Sequence, residues 1–231
     1  MKTTLMAGIA LASALAMAGT AGATTVTWDN SPATGSISTF GVPDTLTYGE
    51  VFTAPLTGTM TSFTLSLNGA VGALHGAVGT WNGGPAFALG DGSPSELYNS
   101  GSVASTGAQS FIFSPNISVT AGQQYVAYIS AFGEAGANAS TSMPTSTNAV
   151  SGIDYFVFNN TSDPAANPSW NYFENIADFG LGNAQFAATF VSGPGVPEPA
   201  TWAMMLIGVG MIGGAVRGFA KSNRRLASLQ A

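Results

Sequence analysis

The chain has 231 residues, no cysteine, one histidine and a formal net charge of −6. All five Lys and Arg (Lys2, Arg217, Lys221, Arg224, Arg225) lie near the ends and all eleven Asp and Glu lie between them, so residues 24–199 carry −11 and no cation. Such a stretch has nothing with which to neutralise phosphate, which excludes nucleic acid; it holds no Cys-type zinc site, and no Lys or Arg salt bridge can stabilise it.

Residues 1–23 read as a secretory signal peptide. Lys2 and the amino terminus form the positive region, residues 5–18 are apolar, and Ala21-Gly22-Ala23 fits a small-x-small signal-peptidase site with Thr24 as the first mature residue. About 170 residues follow, enough to bury a core without disulfides even in the oxidising exterior.

Short β-prone stretches separated by turn chemistry fill this exported part. Residues 24–28 open it, residues 37–40 are a weak strand, and residues 48–52 begin the better-patterned region. In residues 59–67, Phe63, Leu65 and Leu67 alternate with Thr64 and Ser66, the mark of a sheet with one wet face. Residues 74–81, 96–100, 110–114 and 117–119, 123–131, 153–159, 170–173 and 185–191 are the further strands. Residues 86–95 and the long, apolar-poor residues 133–152 read as loops. Nine or ten strands without a soluble helix predict an all-β fold, a single β-sandwich over residues 24–192.

No constellation in that domain predicts catalysis. A glycosidase needs two facing carboxylates, and Glu96, Glu134, Asp154 and Asp178 have no spacing that pairs them, so they read as solvated acids and the domain as non-enzymatic. His75 stands alone in a strand and reads as structural; a triad through it is not specified, because hydroxyls are abundant everywhere. No metal site is predicted, although an acidic exported domain leaves calcium as an option. Glycan binding would use exposed aromatics, for which Trp81, Tyr98, Trp170 and Tyr172 are the platform candidates, although each taken alone reads as core, where most aromatics of a β-sandwich lie. If they form a platform, replacing Trp81 or Trp170 should abolish binding without unfolding.

Residues 193–200 form a linker ending in Pro197-Glu198-Pro199. Residues 201–220 follow as 20 mostly apolar residues, about 30 Å as a helix and long enough to span a bilayer. Trp202 sits at the interface, Arg217 snorkels from the far end, and the basic tail of residues 221–231 predicts a cytoplasmic C-terminus.

This ending resembles the PEP-CTERM sorting signal of bacterial exported proteins in its PEPxxWA variant. The motif residues are Pro197, Glu198, Pro199 and Trp202, with Arg217, Arg224 and Arg225 as the basic cluster. The resemblance implies recognition by an exosortase at the membrane, cleavage near the motif, and release to the cell surface or extracellular matrix, in association with extracellular polysaccharide. The order of residues 48–52, 63–67 and 121–128 also resembles jelly-roll domains found beside surface anchors, which implies fold alone. The competing expectations are a secreted carbohydrate-active enzyme and a single-pass surface protein that is never cut.

Overall fold

The computed structural model describes residues 22–82, 95–160, 163–166, 170–172, 182–193, 207 and 209. Of the expected segments, residues 1–21 of the signal peptide, the Pro-Glu-Pro motif, residues 201–220 apart from 207 and 209, the basic tail and Asp178 lie outside these residues. Ile207 and Val209 are helical and exposed; among the described residues no helix is long and apolar enough to cross a membrane. Residues Thr24–Gly193 form one compact unit.

That unit is all-β. Its strands are β1 (Thr25–Asp29), β2 (Gly35–Gly41), β3 (Thr47–Thr53), β4 (Gly58–Leu67), β5 (Gly72–Thr80), β6 (Ser95–Asn99), β7 (Val103–Ser105) and β8 (Gln109–Phe113), then β9 (Ile117–Val119), β10 (Gln124–Ser130), β11 (Ser140–Ser146), β12 (Ile153–Asn159), β13 (Asn171–Tyr172), β14 (Asn183–Ala184) and β15 (Phe186–Ser192). One sheet runs β1-β15-β4-β8, with β9 also on β4; the larger runs β13-β12-β3-β10-β5-β6, with β7 also on β5; a small third sheet runs β14-β11-β2. The pairings between these strands are antiparallel.

The two large sheets face each other across one core, as a β-sandwich does. Phe52 of β3 packs against Trp28, Phe186 and Phe190 of the opposite sheet, and Phe63 stacks on Phe113 at 4.8 Å. The small sheet adds Ile37, Phe40, Met143 and Ala184 to the same core. At Gly76 the Phe113 ring of the opposite sheet fills the side-chain position: a Cβ there would meet it at 2.4 Å, so only glycine leaves room for the phenyl group.

Two bulges explain departures from strict alternation. Met60 and Phe63 are three apart on β4, yet both are buried. The pairing to β15 shifts between Thr189 and Phe190, leaving Thr61 as the extra residue, its hydroxyl donating to the Thr189 carbonyl. On β12 the shift falls at Asp154, which lets both Ile153 and Phe156 point inward.

One expected loop is corrected. Within residues 133–152 the chain forms β11, paired to β2 and β14. Its sequence, Ser-Thr-Ser-Met-Pro-Thr-Ser, contributes a single large apolar side chain, Met143, which is fully buried. Thr145 and Ser146 are buried beside it, and the Ser146 hydroxyl donates to the carbonyls of Asn30 and Pro32. Short hydroxyl side chains that bond internally can occupy a core face, so the polar composition concealed a strand. β7 and β14, two or three residues each, were likewise too short to show a period.

Candidate functional site

The outer face of the larger sheet is where polar and aromatic side chains gather. Strand alternation sends Val51 of β3, Ala77 of β5, Val126 and Tyr128 of β10, and Val157 of β12 to this face, where they form a second apolar cluster with Trp81 and Trp170. The indoles meet edge to face with centroids 5.9 Å apart, and Trp170 packs on Tyr128 at 5.4 Å. Trp81 Nε1–H donates to Tyr155 Oη at 2.6 Å, and Trp170 Nε1–H donates to the Pro164 carbonyl at 2.8 Å.

Both indoles are only 5 % exposed, which corrects the expectation of an exposed platform at these two positions. The reason is the sheet itself: an apolar outer face must be covered, and the segment carrying Trp170 covers it. Tyr98 is half-buried and packs against the inner core, on the other side of the sheet. Tyr172 pairs with Val157 through β13. The four aromatics therefore do not share one surface.

At one margin of this face His75 Nδ1 lies 2.8 Å from Glu134 Oε1, with both side chains about one-tenth exposed. Tyr128 stands edge-on to the imidazole at 6.5 Å and donates its hydroxyl to Glu96 Oε2 at 3.0 Å. Burial pushes the Tyr128 phenol well above its ordinary range, and the neighbouring Glu96 adds to that. Ser130 is the cross-strand neighbour of His75, so serine, histidine and acid do come near one another. The Ser130 hydroxyl, however, is buried, bonded to Thr47 Oγ1 at 2.7 Å and accepting the Phe132 N–H at 3.1 Å. Those two bonds hold β3, β10 and the following turn together.

Asp154, at its bulge, accepts from Thr53 Oγ1 at 2.7 Å and Gln124 Nε2 at 2.9 Å. Glu96, Glu134 and Asp154 thus each have a local partner; Glu96 is exposed, as a solvated acid would be, and the other two are partly buried. Among the described residues no group of three or more His, Asp or Glu could hold a metal ion.

The acid that sequence reasoning passed over is Glu50. It lies between Tyr48 and Phe52 on β3, so alternation already placed it on the inward face, and it is completely buried. Its Oε2 accepts the Ala184 N–H at 2.9 Å, while Oε1 has no partner. Desolvation pushes its carboxyl well above the usual range; the Ala184 hydrogen bond opposes this and Asp154 reinforces it. Beside it, buried Asn30 accepts the Phe186 N–H through Oδ1 and donates Nδ2–H to the Ala184 carbonyl, both at 2.8 Å. Asn30 and Glu50 together do for the edge of β14 what a neighbouring strand would do.

Comparisons with known proteins bear on the other end of the chain. No curated protein matches it. Among solved structures, the cysteine protease and lectin-like domains of Cwp84, a surface layer associated protein of Clostridium difficile, are similar at 9% identity and a TM-score of 0.41, covering 64% of this chain and 32% of that one. The structure of infectious bursal disease virus, Gx strain, is similar at 10% identity and a TM-score of 0.26, covering 78% and 38%. The chain thus spans about a third of the length of each. Residues 195–221 match the family model described as the PEP-CTERM protein-sorting motif. That stretch contains Pro197, Glu198, Pro199, Trp202 and Arg217 of the expected signal. A motif of this kind indicates an exported protein sorted by exosortase.

Proposed function

We propose that the protein is delivered by a signal peptide cleaved after Ala23, held briefly in the membrane by residues 201–220, and cut by exosortase near Pro197-Glu198-Pro199. The folded unit then remains at the cell surface or in the matrix as a non-catalytic β-sandwich, structural or associated with extracellular polysaccharide. The sorting motif at residues 195–221 is the observation that carries this reading. The charge layout supports it: every cation lies at the two ends, where lysine and arginine orient a chain in a membrane, and the stretch between has none. The engagement of Glu96, Glu134 and Asp154 by neighbouring side chains supports a structural rather than a catalytic role for them.

Intact mass of the protein recovered from the cell surface tests the proposal. The expected species begins at Thr24 and lacks the residues after the motif, with Arg217, Arg224 and Arg225 among them. A population that keeps the basic tail throughout would instead establish the permanently anchored form.

A further inference from the structure

We propose that Glu50 is a proton-operated latch: its un-ionised carboxyl, sealed inside the sandwich, holds the Ala184 N–H and with it β14, and loss of its proton lets that strand go.

The geometry carries this. A carboxylate needs several donors or a cation to be tolerated in an apolar interior. Glu50 is completely buried, has one backbone N–H on Oε2 and nothing on Oε1. No Lys or Arg exists between residues 24 and 199 to compensate its charge. Of the titratable groups on the elements around it, Tyr48 and Tyr125 share its inward face, Tyr128 and Tyr155 lie on the outer face, and Asp154 on β12 disfavours a second negative charge. Burial acts in the same direction, holding the carboxyl in its acid form.

What it holds is also specific. β14 has two residues and pairs on one side only, with β11. Its other edge is capped by the side chains of Asn30 and Glu50. Opening this edge to water releases the Glu50 proton to solvent. A group whose folded pKa is raised favours the closed state fully below its unfolded pKa, near 4.3, and the advantage is lost as pH rises toward the folded value. Across that window the opening equilibrium grows about tenfold per pH unit.

The test is hydrogen–deuterium exchange of the full-length chain in detergent, wild type against E50Q, read at each pH in the peptide covering residues 182–192. Glutamine keeps an acceptor for Ala184 but does not titrate, and intrinsic exchange is the same in both. The wild-type to E50Q exchange ratio should rise about tenfold per pH unit from pH 5 upward until the folded pKa is reached. A ratio independent of pH overturns the latch. If E50Q does not fold, E50M gives the same comparison, since it also lacks an ionisable group. Infrared spectroscopy reads the wild type directly: an un-ionised carboxylic acid band that the variant lacks and that persists above pH 5, up to the pH at which the exchange ratio levels off, supports the latch, and its absence throughout that range overturns it.

Discussion

At the scale of single residues, the most informative side chains are those whose chemistry and location disagree. Trp81 and Trp170 have the composition of a ligand platform but are enclosed with Val51, Ala77, Val126 and Val157. Replacing Trp170 with alanine should therefore act on stability. It removes a buried indole and leaves a void beside Trp81 and Tyr128, a loss of about 3–5 kcal/mol, measurable as a lower denaturation midpoint. A variant of unchanged stability would show that the indole is not part of this core. Glu50 is the converse case, a charged residue type on a core face. Its position between Tyr48 and Phe52 was legible from alternation, but the sequence did not reveal its partner, because Ala184 is 134 residues away.

At the scale of elements, strands carried by apolar alternation were readable even where a bulge interrupts them, as in β4 and β12, and the strand built on hydroxyls was not. β4, β10, β12 and β15 carry large apolar residues every second position over most of their length, and they lie within a residue or two of where the pattern put them. β11 does not, since Met143 is its only large apolar side chain and the residues buried beside it are Pro144, Thr145 and a Ser146 that bonds internally through its hydroxyl. Packing between elements rests in one place on a missing side chain. Gly76 of β5 lies against the Phe113 ring, and a methyl group there would overlap it. Gly76→Ala should cost about 1–3 kcal/mol by forcing the ring and the facing strand apart. Chemical denaturation checks this, and a neutral result would mean the sheets slide to absorb the methyl.

At the scale of the whole molecule, the charge layout has a measurable consequence. A folded unit with ten acids and no Lys or Arg repels itself. Its charges are screened over about 30 Å at 0.01 M salt and about 8 Å at 0.15 M. Raising monovalent salt across that range, with a chelator present, should raise the thermal midpoint; a midpoint that falls would show that attractive pairs dominate. The His75–Glu134 pair is the one ion-pair contact among the described residues, so there is little attraction for salt to weaken.

What the sequence determined by itself was whatever depends on local order along the chain: the sorting motif with its cations at the end, an acidic middle, and an all-β pattern of alternating strands. Each of these depends only on the order in which residues occur along the chain. The tertiary structure alone decided which aromatics are covered, that Asn30 and Glu50 stand in for a strand beside β14, and that Glu96, Glu134 and Asp154 have partners. Those outcomes depend on residues more than 150 positions apart meeting in space, and burial, which sets their chemistry, is a property of that meeting.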